Sequence, residues 1–113
     1  MPYSVRVRVR FSAAHYLENY QGKCEKVHGH NYVVEVWVQS QRVKKNGLTY
    51  DFTELKNDIK KILPDHQLLN EVFDFNPTAE NLAKYFYKEL KKWYPVKKVV
   101  VWETEDSAAE YEP

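Results

Sequence analysis

A chain of 113 residues in which 17 Lys and Arg face 16 Asp and Glu has a formal charge of +1, so no net field draws it to nucleic acid or a membrane surface, and a small molecule is the expected partner. That length suits one domain, taken as residues 1–113, and with 15% Phe, Trp and Tyr in so small a body some rings are expected at subunit contacts, which favours a homo-oligomer. The opening MPYSVRVRVRF alternates arginine with valine instead of forming an apolar signal, and Cys24 is the single cysteine. With no apolar run of about 18 residues, these features point to a soluble, cytoplasmic protein without an internal disulfide.

In chain order, residues 3–12 set Val5, Val7, Val9 and Phe11 against Arg6, Arg8 and Arg10, the period-two pattern of a half-buried strand. A loop over residues 16–27 follows, and the β-branched and aromatic run at 32–39 predicts a second strand with Val34, Val36 and Val38 on its buried face. Lys44-Lys45-Asn46-Gly47 signals a turn before a short extended piece at 48–50. Asp51 can cap a helix whose Phe52, Leu55, Ile59, Ile62 and Leu63 recur at helical spacing until Pro64 ends it. A second helix is expected over 78–94, with Leu82, Phe86, Leu90 and Trp93 as its apolar stripe and Pro95 as its stop. Residues 98–102 and 108–111 read as two further strands around a turn at Glu105-Asp106-Ser107. The order ββααββ is an α+β fold, a four-stranded antiparallel sheet with two helices on one face. Arg6, Arg8, Arg10, Glu35 and Gln39 share the other face; they are either solvated or, if sheets of several subunits closed on one another, the polar lining of a barrel.

Three of the four histidines lie within sixteen residues of each other. His15 stands just past the first strand, and His28 and His30 lead into the second. Residues two apart on an extended chain point the same way, so His28 and His30 share the direction of Val34 and Val36. Hairpin pairing would bring His15 beside them. Three imidazoles without a fourth protein ligand match a catalytic zinc site that keeps a position open for water or substrate. Cys24 precedes His28 by four residues, and a nearby divalent cation favours its thiolate, which could ligate the metal or accept a proton. Asp65 and His66 form a turn after the first helix and could orient and tune that thiol. Glu103 ends the third strand, where a carboxylate can accept two hydrogen bonds from an amidine-like ring edge.

Phe11-Ser12-Ala13-Ala14-His15, Cys24-x3-His28-Gly29-His30-Asn31-Tyr32, Asp65-His66-x2-Leu69-Asn70, Pro77-Thr78-Ala79-Glu80-Asn81 and Trp102-Glu103-Thr104 together resemble the family of the 6-pyruvoyl- and 6-carboxy-tetrahydropterin synthases. The resemblance implies that His15, His28 and His30 ligate zinc, that Cys24 accepts a proton with Asp65 and His66 as its activating partners, and that Glu103 anchors the pterin ring and joins the relay. It places Thr78 near the substrate pocket. It further implies a tunnelling fold (T-fold) whose subunits form a β-barrel, assembled as a hexamer of two trimers with active sites where subunits meet. Three residues between Cys24 and the His-Gly-His, with Val27 in place of a glutamate, favour the carboxy branch. That branch converts 7,8-dihydroneopterin triphosphate to 6-carboxy-tetrahydropterin in queuosine and deazapurine biosynthesis. Two alternatives stand beside it: a pyruvoyl synthase, and a non-catalytic binder of zinc and a pterin or purine.

Overall fold

In a computed structural model, residues 1–18 and 26–113 are described. The N-terminal alternation runs further than the expected residues 3–12. Strand β1, Tyr3–His15, pairs antiparallel with β2, His28–Ser40, in an unbroken register from Tyr3 opposite Ser40 to His15 opposite His28. All three clustered histidines therefore lie within strands and not beside them. The extension costs little sterically, because Ala13, Ala14 and Gly29 are small and a Cβ at Gly29 would meet nothing closer than 3.7 Å.

Asn46-Gly47 forms the expected turn, with Gly47 at φ +86° and its N–H donating to Lys44 O at 2.9 Å. Residues 48–50 are not extended, because the Leu48 carbonyl bonds back to Lys44 N within the turn (2.9 Å) and not to a strand. Asp51 caps α1, Phe52–Lys60, through an Oδ1 that accepts from Thr53 N at 2.8 Å. The helix stops before Ile62 and Leu63. Pro64 disfavours helical backbone at residue 63, and the chain tightens into i−3 bonds from Ile62 N to Ile59 O and from Leu63 N to Lys60 O. Leu55 and Ile59 are buried, whereas Phe52 faces solvent.

Two elements were not expected: β3, Gln67–Leu68, and α2, Leu69–Val72. Both are too short for periodicity to announce them. β3 lies parallel to β1 at Ala13 and Ala14, so among the described residues the sheet has five strands in the order β3-β1-β2-β4-β5 and not four. Thr78 caps α3, Ala79–Leu90, with its hydroxyl accepting from Asn81 N at 3.1 Å. The helix ends short of residue 94, and an i−3 bond from Trp93 N to Leu90 O turns Trp93 off the apolar stripe. It is 68% exposed. β4, Val96–Trp102, and β5, Ala108–Tyr111, complete the antiparallel part of the sheet.

The core lies between the valine face of the sheet and the two longer helices, where Val7, Val9, Phe11, Val34, Val36, Val99 and Val101 meet Leu55, Ile59, Leu82 and Phe86. Phe11 stacks on Tyr32 with centroids 4.8 Å apart and meets Phe86 edge-on at 5.9 Å. On the other face Glu35 is only 8% exposed. Its carboxylate accepts from Trp102 Nε1 and has Arg6 and Arg8 at 3.8 and 4.0 Å, so this polar face pairs across strands within one chain. No helix among the described residues is long and apolar enough to cross a membrane.

Replacing Phe86 by Ala empties a fully buried site and should cost about 3–5 kcal/mol, whereas Trp93→Ala should change stability by no more than about 0.5 kcal/mol. Urea unfolding of both variants checks this: a larger loss at Trp93 than at Phe86 would contradict the placement of the stripe.

Candidate metal centre

The β1–β2 register builds the site. His15 continues the buried phase of Val9, Phe11 and Ala13, and it lies opposite His28; His30 stands one pair along, opposite Ala13. A methyl group at residue 13 leaves room for the His30 ring to lean toward the other two. The three rings meet edge-to-face, with centroids 4.6–5.1 Å apart, and one nitrogen from each lies within 4.8 Å of the others. Asp, Glu, His and Cys side chains form no other such group among the described residues.

Hydrogen bonds decide which nitrogens are available. His15 Nδ1–H donates to Pro77 O at 2.8 Å, and His28 Nδ1–H donates to Lys26 O at 2.7 Å. Each carbonyl holds its ring in the tautomer whose Nε2 bears a lone pair. Those two Nε2 atoms face each other at 3.0 Å, with no proton between them to make a hydrogen bond. His30 Nε2 is buried with no hydrogen-bond partner. Unpaired buried acceptors cost free energy, and a cation among the three removes that cost. Neutral imidazole donors suit a divalent transition metal. Burial lowers the pKa of His15, with the Pro77 bond and Glu103 acting against it, and burial likewise lowers that of His30. Both rings are thus held in the neutral form that a metal requires.

Glu103 follows β4 and reaches the same place, with Oε1 3.5 Å from His30 Nε2 and Oε2 3.9 Å from His15 Nε2. It also borders a hollow of about 390 Å³ shared with Thr78. Asp65 and His66 stand at the edge of β1. Asp65 Oδ1 accepts from Ser12 N at 2.8 Å, and His66 N donates to Ser12 O. Asp65 Oδ2 lies 2.8 Å from His66 Nδ1. The Ser12 N–H first, and His66 after it, hold the Asp65 carboxyl below its ordinary pKa. His66 takes a left-handed φ of 57°, a conformation that costs a non-glycine residue about 1 kcal/mol and presents an 81% exposed ring. That ring lines a groove of about 520 Å³ together with His30, Gly29 and Asn31. Cys24 lies outside the described residues.

Two groups of contacts escaped the sequence reading. Tyr32, two residues beyond His30 on the same face, brings its hydroxyl within 3.2 Å of His15 Nδ1; burial first, and the Glu103 charge second, raise its pKa and keep it protonated. Its phase is the signal that could have placed it. Asn70 clamps the backbone N–H and C=O of Tyr16, and Asn76 does the same for Glu18, tying the chain beyond His15 to the segment that carries Pro77. Nothing in residue spacing announces such long-range amide clamps.

The family model for 6-pyruvoyl tetrahydropterin synthase matches residues 4–113. This chain belongs to the 6-pyruvoyl tetrahydropterin synthase family. Among its relatives, an Archaeoglobus fulgidus protein provisionally named 6-carboxy-5,6,7,8-tetrahydropterin synthase is 42% identical over 94% of this chain and 92% of its own. The 6-carboxy-5,6,7,8-tetrahydropterin synthase of Aquifex aeolicus is 36% identical over 79% and 75%. A Pyrococcus furiosus dihydroneopterin monophosphate aldolase is 33% identical over 93% of each chain. The solved 6-pyruvoyl tetrahydropterin synthase of Caenorhabditis elegans superposes with a TM-score of 0.85 at 30% identity, covering 98% of this chain and 95% of that one. The α+β T-fold expected of the family is the fold observed.

If the lone pairs converge on a metal, the purified chain should bind one divalent transition-metal ion, and His15→Ala and His28→Ala should each reduce retained metal at least about tenfold after dialysis. Elemental analysis per chain checks this; variants that keep a full equivalent would contradict the centre.

Proposed function

We propose that the chain is a zinc-dependent 6-carboxy-5,6,7,8-tetrahydropterin synthase, converting 7,8-dihydroneopterin triphosphate and water to 6-carboxy-tetrahydropterin, acetaldehyde and triphosphate. The observation that carries the reading is the meeting of His15, His28 and His30 with Glu103, in a chain whose relatives of that name cover most of its length. The three residues between Cys24 and His28 support the carboxy branch. The product belongs to the route toward queuosine and related deazapurines, a cytoplasmic pathway. The enzyme works as a hexamer of two trimers whose sheets close into barrels.

His15, His28 and His30 would hold the zinc ion, which would supply Lewis-acid chemistry toward the substrate hydroxyls and developing oxyanion charge. The protein's own groups do the rest. Glu103 accepts hydrogen bonds from the amino group and ring N–H of the pterin and sets its orientation, with Thr78 beside the same hollow. The Thr78 hydroxyl accepts from Asn81 N in capping α3, which holds the helix start at the pocket wall and leaves the O–H free to donate to substrate. Cys24 thiolate removes a carbon-bound proton. Asp65 receives His66 Nδ1–H, which leaves His66 Nε2 free to take the thiol proton and return it. Product leaves once the side-chain carbon–carbon bond has broken.

A second reading, retro-aldol cleavage of a monophosphate, is favoured by the Pyrococcus aldolase, which matches 93% of the chain. A third, a pyruvoyl synthase, is favoured by the likeness to the Caenorhabditis enzyme. Product identification separates the three. With dihydroneopterin triphosphate the expected products are acetaldehyde and 6-carboxy-tetrahydropterin; 6-pyruvoyl-tetrahydropterin without acetaldehyde, or turnover of the monophosphate alone, would overturn the assignment. Cys24→Ala should lower kcat by about 10²–10⁴ with zinc retained, and wild-type turnover without the thiol would remove it from the mechanism.

A further inference from the structure

Glu103 is placed where a ring anchor has no need to be. Its carboxylate accepts no hydrogen bond from a described side chain. Its two oxygens point instead at two of the three metal-binding nitrogens. Bonds of about 2.0–2.2 Å in a tetrahedral site put neighbouring donor atoms roughly 3.3–3.5 Å apart. The separations here are 3.0 Å between the Nε2 atoms of His15 and His28, 3.5 Å from His30 Nε2 to Glu103 Oε1, and 3.9 Å from His15 Nε2 to Glu103 Oε2. Glu103 thus sits at the margin of the imidazole cluster, one oxygen beside His30 and the other beside His15, and rotation about its side-chain bonds can swing one oxygen onto an ion held there.

We propose that Glu103 is the fourth metal ligand in the substrate-free protein, and that a pterin ring draws its carboxylate off the metal and so opens a coordination position as it binds. The backbone permits both positions. Glu103 N donates to Ser107 O at 3.0 Å, which fixes the Cα in the turn between β4 and β5, while the side chain remains 27% exposed beside the hollow that it shares with Thr78 and Ala108. Rotation about the side-chain bonds suffices, and no element has to move. A carboxylate also supplies the negative charge that three neutral imidazoles leave unmatched around a divalent ion. Ring recognition and metal opening become one event, so the ion meets the side-chain hydroxyls only after the ring is seated. This role rests on the zinc and pterin reading above.

The test uses the full-length protein loaded with zinc or Co(II), and pterin itself as the probe, since it has the ring edge but no side-chain hydroxyls. Chelator competition should show Glu103→Gln binding zinc at least about tenfold more weakly than wild type. The visible Co(II) spectrum of substrate-free Glu103→Gln should differ from that of wild type, and saturating pterin should shift the wild-type spectrum. Equal zinc affinity and superimposable Co(II) spectra, with metal bound in both proteins, would overturn the ligand role and leave the three-histidine centre standing. Pterin that binds by fluorescence quenching without changing the wild-type Co(II) spectrum would overturn the exchange. A wild-type chain that takes up neither metal would instead defeat the reading on which the proposal stands.

Discussion

The register of β1 against β2 is the constraint on which the site depends. Thirteen consecutive pairs end with His15 opposite His28, and every second residue of both strands faces the helices. A slip of one residue would put His15 on the face opposite to His28 and His30. The valines that drive burial and the histidines that gather the lone pairs occupy the same phase, so the hydrophobic energy that selects the register also assembles the donors. Ala13 opposite His30 lets the third ring reach the other two.

Hydrogen bonds then convert proximity into a donor set. Pro77 and Lys26 carbonyls fix the tautomers of His15 and His28, burial keeps His15 and His30 neutral, and the Nε2 atoms are left facing one another without protons. Such an arrangement is destabilising by itself. It becomes favourable around a cation, which is why the tautomers carry as much of the case as the cluster of rings. Glu103, just beyond β4 and more than seventy residues from His30 in the chain, brings a charge to the same point.

Much of this was legible before any coordinates, and the gaps have physical causes. Strict alternation announced β1 and the shared phase of His28 and His30, the capping residue Asp51 located the start of α1, and the helix expected from residue 78 matches α3, which Thr78 caps. Helix ends were overrun, because apolar spacing continues through Ile62, Leu63 and Trp93 while the backbone tightens into i−3 turns that change the faces these residues present. β3 and α2 were invisible, being too short to show a period; tertiary contact with β1 makes them. The polar face could be read two ways from its residues, and cross-strand pairing of Arg6 and Arg8 with Glu35 comes from register, which single-strand patterns do not contain. Asp65 and His66 were singled out as a turn. Their tie to Ser12 is a long-range contact that no local pattern encodes.

The central claim is that strand pairing builds a metal centre of imidazole nitrogens, with Cys24 serving as a base and not as a ligand. Zinc K-edge X-ray absorption of the loaded, substrate-free protein tests it directly. The account predicts three imidazole nitrogens and one oxygen at about 2.0–2.2 Å. A sulfur scatterer at about 2.3 Å, or fewer than three imidazoles, would contradict it.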